Sequence, residues 1–486
     1  MIETVPELRV NPINERPIQS DGQYVIYWMV SHRRVRWNYS LQHAISIAQA
    51  HQKPLIILEA LRVGYRWASL RTHQFIIEGM QNNAERCQES SVIYYPYIEP
   101  HPGAGKGLLE ALSQQSICVV TDEFPCFFIP RMQAAIAPRL PVALITVDSN
   151  GILPLRAGGR VFTTAASFRR HLQKTILPYM RQWPVSDPLQ EELADGAVPK
   201  SILEQWPMAQ LDDINTLLEG LPIDNEVKPV PFRGGSSAAE DQLSSFFKAR
   251  HLRYHSDRNQ VDNGSASGLS PYLHFGHLSA HEFVYRSLEL CGWTEQNVAV
   301  KPNGSRTGWW GVPAHTESLL DELITWREIG YVFCFERLND YDQFSSLPEW
   351  AQKTLQDHAQ DPRPYTYTLE QLENADTHDP IWNAAQRQLR QEGRIHNYLR
   401  MLWGKKVLEW SESPQQALEH LIELNNRWAI DGRNPNSYSG IFWTLGRFDR
   451  AWGPERPIFG KIRFMSSDST KRKLKLSTYL NKFGAI

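Results

Sequence analysis

Short hydrophobic runs alternate with longer amphipathic segments through the first third of the chain. The runs are rich in β-branched and aromatic residues and read YVIYWMV at 24–30, PLIILEA at 54–60, VIYYPYI at 92–98, ICVVTD at 117–122 and VALITVD at 142–148. Continuous apolar runs of this length are typical of parallel strands buried on both faces. The segments between them, such as SLQHAISIAQAHQ, repeat apolar residues every three or four positions, as helices do. The alternation predicts a doubly wound α/β domain with a parallel sheet.

A different pattern follows residue 235. Residues 181–235 are rich in Pro, Asp, Glu and Gly and end in VKPVPFRGG, which is typical of a linker. Beyond them, long segments such as TESLLDELITWREIGYVFCF and SPQQALEHLIELNNRWAI have helical periodicity. We therefore predict an α/β domain over residues 1–180, an interdomain linker over 181–235 and an all-α domain over 236–486.

Length and composition restrict the class of protein. A chain of 486 residues is too long for one hydrophobic core, and 42% hydrophobic with 21% charged residues is a globular composition. No stretch approaches the roughly 18 apolar residues of a membrane helix. The five cysteines form no CxxC pair and no zinc-ligand spacing. We expect a cytoplasmic protein, or a nuclear one in a eukaryote, that is monomeric and has no membrane contact and no metal site.

Charge and tryptophan are unevenly distributed. From Trp382 to the end there are 18 Lys and Arg against 9 Asp and Glu, although the whole chain has a net charge of −2. Such a segment could face a polyanion, but solvated helix faces also produce a bias of this size. Of the 16 tryptophans, 11 lie between Trp293 and Trp452.

Several segments could carry chemistry. Small hydroxyl residues and Gly precede a helix start in YHSDRNQVDNGSASGLSPYLHFGHLS at 254–279, where they could bind phosphate or simply cap the helix. Trp403 and Trp410 are seven residues apart, about 10 Å along one helix face. Glu322 and Trp326 are four apart, which also predicts a shared face. The stretch 425–465 is dense in Asn, Asp, Gly, Arg and Trp, as functional loops are. PGAGKG at 102–107 lacks the ends of a P-loop and is expected to be a plain loop.

Six of these strings occur together and in order: SGLSPYLHFGHLS, DELITWREIGYVFCF, DPIWNAAQ, HNYLRMLWGKKVLEW, DGRNPNSYSGIFW and RPIFGKIRFM. With weaker matches at YVIYWM and RVRWNYSL, the chain resembles the photolyase and cryptochrome flavoproteins, and within them the class II cyclobutane pyrimidine dimer photolyases. The resemblance covers nearly the whole chain, and several long motifs in one order are specific.

This resemblance implies a reduced FAD that, excited by blue light, gives an electron to a pyrimidine dimer flipped out of double-stranded DNA. It implies that Asn425 faces flavin N5 and that Glu322 is the partner of the pyrimidine carbonyl. A desolvated Glu would hold a proton and could donate it in a hydrogen bond.

The resemblance also assigns further residues. The implied flavin contacts are Tyr254, Arg258, Ser267, Leu269, Ser270, Asn425, Asp431 and Arg433. Trp403, Trp382 and Trp410 match an electron-transfer chain with Trp403 nearest the flavin and Trp410 nearest solvent. The implied lesion and DNA contacts are Asn259, Trp326, Met401, Trp443 and Arg463.

Three alternatives stay open at this stage. The protein could be a cryptochrome-like flavin photoreceptor, or a generic nucleotide-binding α/β protein with a helical partner domain. A second, antenna chromophore could be a deazaflavin, a folate or absent. Trp309 and Trp310, in an apparent insertion at 301–315, could pack internally or act as a DNA-contacting wedge.

Overall fold

The computed structural model describes residues 2–262 and 264–484, which form two compact units. The first unit contains the described residues up to Gly158 together with Ile176–Ser244 and Leu269–Ser287. The second contains Gly159–Thr175, Ser245–Gly268 and the described residues from Leu288 onward. The domain boundaries inferred from the linker composition stay a prediction.

A six-stranded sheet forms the centre of the first unit. Its strands are β1 Val10–Pro12, β2 Tyr24–Met29, β3 Leu55–Leu61, β4 Ile93–Ile98, β5 Ser116–Asp122 and β6 Leu144–Val147. They are ordered β1-β6-β5-β2-β3-β4, and the pairings are parallel except for the antiparallel β1–β6 pair. All five predicted strands are present. The short edge strand β1 was not predicted, because VNP has no apolar pattern and contains Pro.

Helices surround the sheet and make up most of the second unit. In chain order they are α1 Tyr39–His51, α2 Leu70–Gln88, α3 Leu108–Ser113, α4 Ile129–Ile136, α5 Ala165–Thr175, α6 Lys200–Gln205, α7 Ile214–Glu219, α8 Ser236–Ala249, α9 Tyr254–Asp257, α10 Ser270–His274, α11 Ala280–Glu289, α12 Ala314–Leu320, α13 Arg327–Glu336, α14 Glu349–Asp357, α15 Leu369–Glu373, α16 Pro380–Glu392, α17 Asn397–Trp410, α18 Pro414–Trp428, α19 Pro435–Thr444, α20 Ser467–Lys473 and α21 Ser477–Phe483. The predicted fold class, a parallel α/β sheet followed by helices, is confirmed.

The core of the sheet follows from the apolar runs. Every residue of β2 and of β5 is buried, as expected for strands covered on both faces. The Asp122 carboxylate at the end of β5 is also buried, but it accepts hydrogen bonds from the backbone N–H groups of Val30, Ser31 and His32. Burial raises the pKa of this carboxyl, but the neighbouring His32 ring, these backbone bonds and the Tyr27 hydroxyl together lower it by more, so the charge ties β5 to the residues after β2.

Three helices of the second unit share one start signal. A capping side chain, Asp379, Ser413 or Asn434, is followed by Pro at the first helical position of α16, α18 and α19. The cap oxygen accepts backbone N–H groups that have no partner within the helix, and Pro has no N–H to satisfy there. The dipeptides DP, SP and NP therefore fix where these helices begin.

One predicted helix is interrupted. TESLLDELITWREIGYVFCF reads as a continuous helix, but Asp321–Trp326 forms a π-helical segment between α12 and α13. Such wide turns are rare and often occur at functional sites. Asp321 begins the segment and makes a bidentate ion pair with Arg169 of α5, with Nε–Oδ1 and Nη2–Oδ2 distances of 2.7 and 3.0 Å. Both side chains are more than nine-tenths buried.

The insertion at 301–315 packs internally. Trp309 and Trp310 are buried, with ring centroids 4.7 Å apart. The Glu317 carboxylate accepts their backbone N–H groups and that of Gly308. The packing alternative therefore describes these two residues, because neither indole is exposed as a wedge would be.

The glycine-rich segment at 102–107 has a carboxylate beside its backbone. PGAGKG is a loop, as predicted, and the Glu99 carboxylate accepts hydrogen bonds from the N–H groups of Gly103 and Gly105, at 2.8 and 3.4 Å. A carboxylate in that position repels phosphate.

Among the described residues, no helix is both long and apolar enough to cross a bilayer, and no three metal-ligand side chains lie together.

The Arg169–Asp321 pair generates a stability prediction. Arg169→Met should lower the free energy of unfolding by about 3–5 kcal/mol, because the buried Asp321 carboxylate loses its partner. The measurement is the urea midpoint at unchanged slope. Lys353→Met is the control, since the exposed Lys353–Asp357 pair at 3.1 Å is of a kind that contributes only about 0.3–0.5 kcal/mol. Equal shifts in the two variants would contradict the prediction.

Candidate functional site

A carboxyl, a guanidinium and a phenol meet beside the π-helical segment. Arg258, directly after α9, forms an ion pair with Glu322, and its guanidinium carbon lies 5.8 Å from the centre of the Tyr254 ring. Glu322 keeps 28% of its side chain exposed, so a ligand can reach it. The structure therefore brings together three of the predicted site residues.

The proton affinity of Glu322 is altered by this setting. Burial raises the pKa of the Glu322 carboxyl above its ordinary value, and the Arg258 guanidinium opposes that effect without cancelling it. Burial also raises the pKa of the Tyr254 hydroxyl, and the Glu322 charge adds to the effect. Glu322 is thus easier to protonate than a surface Glu, and in that form it can donate a hydrogen bond.

The three predicted electron-transfer tryptophans form a continuous array. The Trp382 and Trp403 rings are stacked, with centroids 6.2 Å apart and an interplanar angle of 3°. The Trp410 ring meets Trp382 edge-on, with centroids 5.6 Å apart. Trp382 on α16 therefore lies between the two tryptophans of α17. The helical spacing alone could not place it there.

Hydrogen bonds fix two of these rings. The Trp382 indole donates to the backbone carbonyl of Trp403 at 3.0 Å, and the Trp403 indole donates to Gln386 Oε1 at 3.0 Å. Since both donors are satisfied inside the protein, each ring has one favoured orientation.

The outer end of the array is covered. Trp410 is only 2% exposed, so it does not itself reach the surface. Tyr367 and His378 each lie 5.3 Å from its ring, and the Tyr367 hydroxyl is 2.7 Å from His378 Nδ1. His378 is exposed and stands between Trp410 and solvent.

The end of α18 and the loop after it contain the remaining flavin candidates of this region. The buried Asn425 amide donates to Asn426 Oδ1 at 3.2 Å, while its own oxygen has no partner among the described residues. Asp431 pairs with Arg400 at 3.1 Å. Arg433 has a φ of 63° and donates to the carbonyls of Asn426 and Ile430 at the end of α18. Arg433 therefore caps a helix, and its predicted flavin contact remains untested.

The other implied flavin contacts lie near the start of α10. Leu269 is fully buried and Ser270 is exposed, and both belong to the first unit. Ser267 is half-buried and belongs to the second unit. No side-chain hydrogen bond caps the start of α10, so the capping role considered from the sequence is not seen at that end.

The implied lesion contacts are partly exposed. Trp326, Met401, Trp443 and Arg463 are half-buried and Asn259 is exposed. Arg463 lies 5.8 Å from the centre of the Trp443 ring and 4.2 Å from that of Trp452, and its Nε is 3.3 Å from Asp449 Oδ2. An aromatic plate with an adjacent guanidinium can stack on a base and attract a phosphate.

The sequence of this chain is similar to those of known proteins over nearly its whole length. No family model matches the chain. A protein named deoxyribodipyrimidine photo-lyase from Methanothermobacter thermautotrophicus is 32% identical over 483 residues, 98% of each chain. Proteins of that name from Potorous tridactylus and Oryza sativa subsp. japonica are 32% and 33% identical, over 96% and 95% of this chain and 82% and 87% of their own. This chain belongs to the deoxyribodipyrimidine photo-lyase family.

A solved photolyase has the same fold. A bacterial class III photolyase from Agrobacterium tumefaciens has a TM-score of 0.65 at 17% identity, covering 95% of this chain and 86% of its own. At that identity the likeness concerns the fold, an α/β part together with a helical part.

Three residues beside the photolyase site were missed by sequence reasoning. Arg400 pairs with Asp431, Gln386 orients Trp403, and Lys405 lies behind Trp443. Arg400 and Lys405 belong to HNYLRMLWGKKVLEW, a motif that the sequence had already singled out. Their partners come from distant segments, so the motif alone could not assign their contacts.

The raised pKa of Glu322 predicts a pH-dependent stability difference. The folded photolyase binds this proton more tightly than the unfolded chain, so the stabilisation is complete below the ordinary pKa of 4.5 and is lost as the pH rises through the folded value. Gln cannot ionise. The stability of Glu322→Gln relative to the wild type should therefore rise between about pH 4 and pH 7, as measured by urea midpoints.

Arg258→Met tests whether burial is the cause of the raised pKa of Glu322. Without the guanidinium, burial acts on Glu322 unopposed, and the loss of stability with rising pH should become steeper. A difference between Glu322→Gln and the wild type that stays constant over this pH range would contradict the raised pKa.

Proposed function

We propose that this photolyase repairs cyclobutane pyrimidine dimers in double-stranded DNA, driven by blue light and electron transfer from a reduced FAD, and that it is a class II enzyme. The observation that carries the proposal is the largely buried but still accessible Glu322 carboxyl, whose proton affinity is raised by burial. A dimer that accepts an electron gains negative charge on a pyrimidine carbonyl, and a protonated carboxyl stabilises that charge. The relatives' shared name denotes a lyase acting on deoxyribodipyrimidines.

The residues of the second unit have donor chemistry that suits a flavin. The amide oxygen of buried Asn425 can accept a hydrogen bond from a ring N–H. Asp431 follows it in the next loop, and its ion pair with Arg400 supplies a further acceptor and a cation. Tyr254, Arg258 and Ser267 offer hydroxyl and guanidinium groups to phosphate oxygens. FAD, when bound, supplies an excited-state electron donor. The protein supplies orientation and charge.

The lesion contacts offset the cost of flipping. Trp326 and Trp443 would stack on the exposed bases, with Met401 filling the space between, and stacking contributes about 1–3 kcal/mol per base. Unstacking a pair of bases costs a few kcal/mol, and less for a distorted lesion. Arg463 and Asn259 would contact the DNA backbone, and the excess of Lys and Arg from Trp382 onward favours a polyanionic partner.

A second chromophore is supported by an aromatic cluster in the first unit. Tyr65 and Trp67 follow β3, and Phe127 and Phe128 follow β5, so the four rings meet where the carboxyl ends of these strands flank β2. Ligands of open α/β sheets bind at such switch points. We propose that a deazaflavin or folate would bind here, and the absorbance of the purified protein distinguishes the two.

We further propose a monomer in a reducing compartment, the cytoplasm or a eukaryotic nucleus. All five cysteines are free, and Cys87, Cys118, Cys126 and Cys334 are buried. Buried thiols without disulfides suit a compartment that keeps them reduced.

Repair of a thymine-dimer oligonucleotide tests the function directly. The chemically reduced holoenzyme should remove the dimer under blue light and not in darkness. Glu322→Leu, which removes the donor, should lower the repair yield by about 10- to 150-fold, the worth of one hydrogen bond to a charged group at about 1.5–3 kcal/mol. Glu322→Gln keeps an N–H donor and should lose less. Flavin that binds and responds to light without repair would instead establish the photoreceptor alternative.

The tryptophan array generates a separate prediction. Trp382→Phe should slow photoreduction of the oxidised flavin severely, because Trp382 is the contact between Trp403 and Trp410. Repair by chemically reduced enzyme should be unchanged. The control is Trp428→Phe, a buried tryptophan whose indole bonds Glu373 and which lies outside the array. Equal photoreduction in both variants would exclude the array as the electron route.

A further inference from the structure

Lys405 is a buried cation with no assigned role. It lies on α17, one turn after Met401, and its side chain is completely buried. It forms no ion pair with any carboxylate of the described residues. Its ammonium group has one hydrogen bond, to the backbone carbonyl of Thr444 at 2.7 Å, and lies 4.7 Å from the centre of the Trp443 ring.

Such a group is costly to bury. Lysine is rarely buried without a charged partner, because the interior disfavours the cation. Burial lowers the pKa of Lys405 to about 7; Asp449 raises it slightly and Arg463 lowers it further. These two residues, both from the segment after α19, are the charged groups that act on it. A Met or Leu would fill the same space at lower cost, so the amine requires an explanation.

The contacts of Lys405 converge on the last residues of α19. The Thr444 carbonyl is one of the acceptors that a helix end leaves without an intrahelical partner. The Trp443 ring is flanked by Lys405 on one helix and by Arg463, 5.8 Å from the ring centre. The ring therefore has two cationic neighbours, and Lys405 is the nearer of them.

The backbone contact beside Lys405 makes this arrangement rigid. A Cβ at Gly404 would lie 2.5 Å from Thr444 Cγ2, so α17 and α19 touch at this point and only Gly fits. Because α17 and α19 are in contact here, the Lys405 side chain can reach the Thr444 carbonyl at the end of α19.

We propose that Lys405 is a positioning residue that fixes the plane of Trp443 and thereby sets the affinity for the flipped-out dimer. The inference rests on the proposed function, since it takes Trp443 as a plate on which the lesion stacks. The cation attracts the face of the ring, and its hydrogen bond ties the carbonyl of Thr444, the residue after Trp443, to α17. As a result, the plate is oriented before DNA arrives, which lowers the cost of binding.

Binding of the holoenzyme in darkness to a thymine-dimer oligonucleotide and to its undamaged twin tests the proposal by fluorescence anisotropy. Lys405→Met should weaken binding of the damaged DNA by about 3- to 30-fold, the range for a desolvated cation over an aromatic ring, and leave the undamaged twin unaffected. Lys405→Gln, which keeps a donor for the Thr444 carbonyl, should recover part of the loss. Lys406→Met is the matched control, because Lys406 pairs with Glu409 at 2.7 Å and faces Trp410.

Two measurements distinguish positioning of the Trp443 ring from a purely structural link between α17 and α19. Affinity of the wild type for damaged DNA should fall as the pH rises through about 7, because the neutral amine no longer attracts the ring, and Lys405→Met should lack this component. In addition, the effects of Lys405→Met and Trp443→Ala on affinity should be non-additive, since the lysine acts through the ring.

The outcomes separate a failure of the proposed function from a failure of the role of Lys405. A wild type that binds damaged and undamaged DNA equally overturns the proposed function, and this inference with it. Selective wild-type binding that Lys405→Met leaves unchanged, or additive effects with Trp443→Ala, overturns the role of Lys405 alone. Loss of stability in Lys405→Met with intact affinity assigns the residue to helix packing and also overturns the proposal.

Discussion

Close packing of α17 against α16, α18 and α19 is the constraint on which the candidate site depends. Polar groups of this one helix are satisfied by its neighbours: the Trp403 carbonyl and indole by α16, and the Lys405 ammonium by the end of α19. Gly404 permits the approach to α19, where any side chain would collide with Thr444. Because these contacts leave one helix in several directions, a rotation of α17 would disturb all of them together. The tryptophan array and the Trp443 plate therefore share one rigid support.

The starts of the surrounding helices maintain this support. Asp379, Ser413 and Asn434 fix the first turns of α16, α18 and α19, each with Pro at the next position. These helices then carry Trp382, Asn425 and Trp443 at set distances from their caps. Because the capping bonds are local, the register of each functional side chain is determined within its own helix, and tertiary packing only has to dock preformed elements.

The sequence predicts more of the architecture than of the site. Apolar runs identified the five buried strands, and helical periodicity identified long helices in the second half of the chain, because periodicity is a local property. The π-helical segment at Asp321 was not predicted, because the apolar pattern continues through it and its partner Arg169 lies more than 150 residues earlier. The WGKK string gives no sign that Lys405 is buried. Its burial depends on Gly404 and Thr444, which come together only in the folded chain.

Burial raises the pKa of Glu322 and lowers that of Lys405, and in both groups it favours the uncharged form. Glu322, beside the π-helical segment, is pushed toward its neutral acid, and Lys405, behind Trp443, toward its neutral base. Both groups do their proposed work in the protonated form, one by donating a hydrogen bond and the other by attracting a ring. Rising pH therefore weakens both functions, whereas a surface Glu and Lys would titrate far apart. One physical cause, burial within the helical unit, therefore acts on both proposed roles, binding of the lesion and stabilisation of its charge.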